Sequence, residues 1–184
     1  MDKSINSDFI EKLTNDGVGM LFVKEREKLD KLSPQLFSVI KNNGLKLIYV
    51  TASLPAKVLI ERVEDAELED YLIIDTVTAS ITDSVQNNDK NIFIRSPGNL
   101  TEISINLEDL FRKHKNTVFV VIDSITSLMI YNSENEILRF IHFTSSIARE
   151  KKNKLVMVVL DNKGLSESFL DKVRSFIDKE YIIE

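Results

Sequence analysis

The sequence predicts an α/β domain built on a mostly parallel, doubly wound sheet. Three observations carry that expectation. Short apolar runs rich in Val and Ile recur along the chain, and most are continuous rather than alternating, as strands read when both faces are covered. Segments with apolar residues at helical spacing separate them. No internal repeat, linker or extended biased segment divides the 184 residues, so 1–184 reads as a single domain.

The elements follow in order. Ile5, Phe9 and Leu13 space an N-terminal amphipathic helix, and Met20–Val23 is the first strand. Ser33-Pro34 opens the next helix, because Ser caps well and Pro suits a first turn. Leu36, Phe37, Val39 and Ile40 give it an apolar face, and Gly44 fits the C′ position. Leu47–Val50 is a strand, and Pro55 opens a helix with Val58, Leu59 and Val63 on one side. Tyr71–Ile74 and Ile92–Ile94 are strands on either side of a polar surface loop, Gln86-Asn87-Asn88-Asp89. Leu100, Ile103, Leu107, Leu110 and Phe111 keep helical spacing, and Val118–Ile122 is a central strand. Ser133-x-x-Glu136 is a capping box ahead of a helix with Ile137, Ile141 and Ala148 on one face. Leu155–Leu160 is a strand, Ser166 starts a helix with Phe169, Leu170, Val173 and Ile177, and Tyr181–Ile183 is an edge strand.

Composition removes several function classes. The chain has no cysteine, which excludes disulfides, a thiol nucleophile, thiolate zinc and iron–sulfur clusters. Its two histidines, His114 and His142, are too few for a His-rich metal site, and no metal or cofactor is expected. The net charge of −5 disfavours a large nonspecific nucleic-acid surface. The longest apolar run, Leu155–Leu160, is far shorter than the ~20 residues of a membrane span. The N-terminal residues lack the apolar core of a secretory signal, so the expected address is the cytoplasm.

In open α/β sheets, ligands bind beyond the carboxyl ends of the strands. Those ends carry Lys24, Thr51, Asp75, Arg95, Asp123 and Asp161. Each acid also has a plain structural reading, because Asp after a strand caps the following turn or helix. The most telling segment is Val118–Leu128, VFVVIDSITSL, in which apolar strand residues run into Asp123 and Ser124.

The string VVIDSITSL, between two helices, resembles the Walker B strand of the RecA superfamily, especially the KaiC-like ATPases of archaea and bacteria. The resemblance continues in order through Met20–Val23, KLIYVT (Lys46–Thr51), LIIDTVT (Leu72–Thr78), SPGNLTEISINLE (Ser96–Glu108) and KLVMVVLD (Lys154–Asp161). It implies a three-layer RecA-like, P-loop NTPase-like fold, in which the Walker B carboxylate reaches nucleotide-bound magnesium. The sequence departs from the family at the chemistry. Active members carry G-x-x-x-x-G-K-S/T after the first strand, where backbone N–H groups wrap the phosphates. This chain has Lys24-Glu25-Arg26-Glu27-Lys28-Leu29-Asp30-Lys31-Leu32-Ser33 there, without a glycine and with three acids. The glutamate expected after the second core strand is replaced by Thr51-Ala52-Ser53-Leu54-Pro55. Asp123 and Ser124 thus read as a remnant of the motif, and no catalytic or nucleotide-binding residue is expected.

Other chemistry is weaker. Ser124, His142 and Asp161 make a triad only on paper, since no G-x-S-x-G elbow surrounds Ser124. His142, between Ile141 and Phe143, reads as a partly buried structural histidine. Arg112–Lys115 and Arg149–Lys154 read as solvated charge at helix C-termini. The run Lys24–Lys31 reads as a solvated helical face, or as a plug that pairs Lys24 or Lys28 with Asp123. The Asp123 carboxylate is expected to accept turn amides of Ile125 and Thr126 in preference to that pairing.

The leading functional expectation is a non-catalytic, regulatory or scaffolding domain that acts through protein–protein contact, similar to archaeal relatives without a P-loop. The expected partner is another protein or a second copy, as a monomer or dimer rather than an ATP-dependent hexamer. The alternative is a small-ligand or nucleotide-binding protein, or weak enzyme, using Thr51, Asp75, Asp123 and Asp161. A DNA-associated recombinase relative is disfavoured by the acidic balance.

Overall fold

The computed structural model describes residues 7–82, 84–115, 117–161 and 165–183. In chain order the elements are α1 (Ser7–Asn15), β1 (Val18–Val23), α2 (Arg26–Asn42), β2 (Lys46–Thr51), α3 (Ala56–Asp65) and β3 (Tyr71–Asp75). They continue with β4 (Asn91–Phe93), α4 (Leu100–Lys113), β5 (Val118–Asp123), α5 (Ile125–Leu128), α6 (Glu134–Glu150), β6 (Lys154–Leu160), α7 (Glu167–Arg174) and β7 (Lys179–Ile183).

Seven parallel strands form one sheet in the order β4-β3-β2-β5-β6-β1-β7. β5 is the middle strand, as its unbroken apolar run predicts, and all six of its residues are buried. Alternate side chains feed two cores. Val118, Val120 and Ile122 face α4, α5, α6 and α7, whereas Phe119 and Val121 face α1, α2 and α3. This is a three-layer fold with helices on both faces, the arrangement that lets parallel strands bury both sides. β7 is the edge strand foreseen at Tyr181–Ile183, and its outer positions are largely exposed.

Local signals are mostly satisfied. Gly44 follows α2 with φ +63°, the left-handed conformation favoured at C′. Ser133 and Glu136 form both halves of the capping box, with the Ser133 N–H donating to Glu136 Oε2 at 2.8 Å. Ser166 caps α7, and Asn99 caps α4. Residues 86–89 are exposed loop. The N-terminal helix is present from Ser7, whereas Ile5 lies outside the described residues.

Two boundaries differ: α7 ends at Arg174, so Ile177 lies beyond the helix expected to include it, and α2 starts before the expected Ser33. Pro34 does not open a helix but lies inside α2, which begins at Arg26. An interior proline costs a helix about 3 kcal/mol or more. The buried stripe Leu29, Leu32, Ser33, Leu36, Phe37 and Ile40 runs straight through it at helical spacing. At about 1.5–3 kcal/mol for each fully buried large apolar side chain, that stripe outweighs the proline. The Ser33 hydroxyl bonds the Leu29 carbonyl one turn back, so it serves the helix interior rather than a cap.

Candidate functional site

β3, β2 and β5 are neighbours, and their register sets Asp75, Thr51 and Asp123 level with one another at the carboxyl edge of the sheet. All three side chains are buried, and strand alternation puts them on the α2/α3 side. The sequence reading named these residues one by one, and the structure brings them together. Asp161 is apart from them. It is exposed one residue past β6, has φ +45°, and its N–H bonds the Val23 carbonyl.

Thr51 and Asp75 are committed to local structure. Thr51 Oγ1 donates to the Leu54 carbonyl at 2.7 Å and accepts from the Leu54 N–H at 3.1 Å. Asp75 accepts from the N–H groups of Ala56, Val77 and Thr78 and from the Thr78 hydroxyl. Ala56 opens α3, so Asp75 holds that helix's N-terminus and the turn after β3 together. The plain capping reading holds for this acid, with four donors on two carboxylate oxygens.

Asp123 is held differently. Arg26, in the first turn of α2, forks onto it: Nη1 donates to Oδ1 at 2.9 Å and Nη2 sits 2.7 Å from Oδ2. The Tyr49 hydroxyl donates to Oδ2 at 2.7 Å. Arg26 Nη1 also donates to Ser53 Oγ at 2.8 Å, and its Nε to Asp30 Oδ1 at 3.3 Å. Arg62 of α3 reaches the same Asp30 oxygen at 2.6 Å. The result is a chain of groups, Tyr49–Asp123–Arg26–Asp30–Arg62, joining α2 and α3 to the carboxyl ends of β2 and β5.

This corrects the expectation that turn amides satisfy Asp123. Ser124 makes the turn instead, its hydroxyl accepting the Ser127 N–H as the cap of α5. The Asp123–Ser124 peptide bond is cis. The cation on Asp123 comes from the run Lys24–Lys31, but it is Arg26 and not Lys24 or Lys28. Arginine suits the place because its guanidinium carries several donors: Nη1 bonds both Asp123 Oδ1 and Ser53 Oγ, Nε bonds Asp30, and Nη2 adds an ionic contact with Oδ2 without a hydrogen bond. A sequence signal existed for Tyr49, a lone phenol in the buried run KLIYVT that needs a partner for its hydroxyl. For Arg26 the signal was its place in the charged run Lys24–Lys31; which cation of that run meets Asp123 depends on strand order and helix phase.

The electrostatics follow from burial. Desolvation pulls the Arg26 guanidinium toward the neutral form, but Asp123 and its hydrogen bond outweigh this and hold it above its ordinary range. Burial, and then the Asp123 charge, push the Tyr49 phenol well above its usual value. The site thus sets a charged guanidinium and a protonated phenol on one buried carboxyl group.

The remaining sequence candidates are dispersed. His142 is exposed, not partly buried, and its ring packs on Phe176 with centroids 4.8 Å apart. Helical phase turns it outward, while Ile141 and Phe140 take the core. Arg112 pairs with Glu108, and Arg149 with Asp178 and the Phe176 carbonyl, so these cations have internal partners. Among the described residues no cluster of three His, Asp or Glu side chains is arranged to hold a metal ion. No helix among them is long and apolar enough to cross a membrane.

The strand order and layering are those of a KaiC/RecA-like fold, as the likeness to solved structures shows. Solved structures share it, two of them as follows. The KaiC-like protein PH0186 of the archaeon Pyrococcus horikoshii OT3 superposes with a TM-score of 0.66 at 15% identity, over 99% of this chain and 79% of that one. The flagellar accessory protein FlaH of Methanocaldococcus jannaschii gives a TM-score of 0.64 at 19% identity, over 98% of this chain and 78% of its own. No protein-family model and no curated protein sequence matches the chain.

Proposed function

We propose that this chain is a RecA/KaiC-like domain without ATP turnover that regulates or scaffolds through protein–protein contact. The observation that carries the reading is Arg26. In an active relative the carboxylate at the end of this strand faces nucleotide-bound magnesium. Here its oxygens are engaged by a guanidinium and a phenol. The connection from β1 to α2 is only Lys24-Glu25, with no glycine to turn N–H groups toward a phosphate. Thr51 and Asp75, the core of the alternative ligand site, are likewise occupied with their own turns. The proposed setting is an archaeal cytoplasm, with a protein partner or a second copy of the chain.

The test is a thermal melt with light scattering on the same sample. Millimolar MgATP is expected to leave the melting temperature unchanged and to be recovered unhydrolysed. The particle is expected to remain a monomer or dimer. A ligand at about 100 times its Kd adds ~2.7 kcal/mol of stability, so micromolar ATP binding is readily seen and would refute the proposal. A nucleotide-free hexamer would refute the expected assembly.

A further inference from the structure

At the amino end of the sheet, away from Asp123, the turns that lead into the strands carry opposite charge. Ahead of β3, the end of α3 and the turn after it hold Glu64, Asp65, Glu67, Glu69 and Asp70, all exposed. Glu67 is paired with Lys41 and Asp70 with Lys46. Glu64, Asp65 and Glu69 make no side-chain hydrogen bond or ion pair among the described residues. This patch is concave: Lys41, Gly44, Leu45, Glu67, Glu69 and Asp70 surround an open recess of about 620 Å³.

Ahead of β5 and β6 the sign reverses. Lys113, Lys115 and Lys152 are exposed, and they too make no side-chain hydrogen bond or ion pair among the described residues. The two turns are neighbours, since the Val118 N–H donates to the Asn153 side chain at 3.3 Å and Lys115 lies within electrostatic reach of Glu150. The acids around them are engaged: Glu150 by Lys151, Asp178 by Arg149 and the Val18 N–H, and Asp16 by the Tyr181 hydroxyl. Asp109 is exposed one turn further back on α4, and Asp89, ahead of β4, extends the acidic side. Only β2 lies between β3 and β5. At about 4.8 Å per strand the two patches are centred ~10–15 Å apart, too far to pair within one chain but on the same face.

Two patches of opposite sign on one face are self-complementary. A two-fold axis lying in that face, midway between them, sets the acids of each copy on the lysines of the other, makes every contact twice and closes at two copies. A polyanion broad enough to cover this end meets the acids as well as the lysines, and such like-charge contact selects against it. We infer that the amino end of the sheet is a self-association surface, on which a second copy of this chain seats Lys113, Lys115 and Lys152 against the recess at Glu64, Asp65 and Glu69. The inference rests on the protein-contact reading above and names its partner. Exposed ion pairs are individually weak and screened by salt, so this dimer is reversible and depends on ionic strength. Asp123 and Arg26 stand at the other end of the strands, and the contact leaves them untouched.

The test is sedimentation velocity on the full chain at roughly 0.01 M and 1 M salt, where the screening length is ~30 Å and ~3 Å. The chain is expected to dimerise at the lower concentration and at least about tenfold more weakly at the higher, ~1.4 kcal/mol. Lys115→Glu with Lys152→Glu makes the face acidic throughout, and Asp65→Lys with Glu69→Lys makes it basic throughout. Each variant alone is expected to be monomeric at low salt, and a one-to-one mixture of the two is expected to form a heterodimer. All four positions are exposed, and a melt of each variant checks that it folds. Lys115→Gln with Lys152→Gln removes the charge without reversing it and is expected to weaken the dimer severalfold. A wild type monomeric at both salt concentrations, a dimer indifferent to these substitutions, or a mixture that stays monomeric would each overturn the inference. The nucleotide melt is a separate readout: ATP binding defeats the non-catalytic reading without touching this end of the sheet, and failed dimerisation defeats this surface alone.

Discussion

Asp123 is fully buried and Arg26 is about a quarter exposed, and the two are ion-pair partners 2.7 Å apart. Removing one partner of such a pair leaves an uncompensated charge and costs about 3–5 kcal/mol. Urea melts are therefore expected to show Arg26→Met and Asp123→Asn each destabilised in that range. The double variant should lose clearly less than the two losses added, and strict additivity would show that the fork contributes nothing. The wild type and Asp123→Asn are expected to respond alike to magnesium; a magnesium-dependent difference would restore a ligand role. Tyr49 adds a pH signature. Its folded value is raised by burial and then by Asp123, so the folded state keeps its proton after the unfolded chain has lost one. Its contribution is intact below the free phenol value of about 10 and is lost as pH rises beyond it. Above that point the wild type should lose stability more steeply than Tyr49→Phe, by up to ~1.4 kcal/mol per pH unit. Equal slopes would contradict a neutral, desolvated phenol at this position.

At the scale of elements, most starts and stops were legible because caps and turns are local chemistry. Ser133, Ser166, Gly44 and Pro55 each sit at the boundary that their side chains or backbone preferences favour. Ser133→Ala removes the acceptor for the Glu136 N–H and half of the capping box, and is expected to cost about 1 kcal/mol in chemical denaturation. An unchanged midpoint would show that α6 is held at this end by packing alone. Pro34 marks where local reading failed. A serine followed by proline is a sound helix start in isolation, yet six buried residues at helical spacing extend α2 across it. Burial summed over a whole face outweighs a single local preference.

For the whole molecule, the placing of β5 at the centre of the sheet concentrates the penalty for any polar intrusion. Val120 is fully buried, paired to Ile48 on one side and Leu155 on the other. Val120→Asp buries a charge with no partner and costs several kcal/mol out of a typical ~5–15. Circular dichroism of this variant is expected to show no cooperative melt. A soluble, cooperatively melting Val120→Asp protein would mean that β5 tolerates solvent and is not the core of the sheet.

The sequence by itself determined that this is a layered α/β protein, where most elements begin and end, and that a carboxylate stands at the tip of the most apolar strand. Those properties reside in side-chain period, caps and turns, which act over a few residues. What holds that carboxylate was decided only in the folded chain. β1 lies two strands from β5, and the crossover from β1 to β2 carries α2 past β6 and β5. Only that path lowers Arg26 onto Asp123, 97 residues away in sequence.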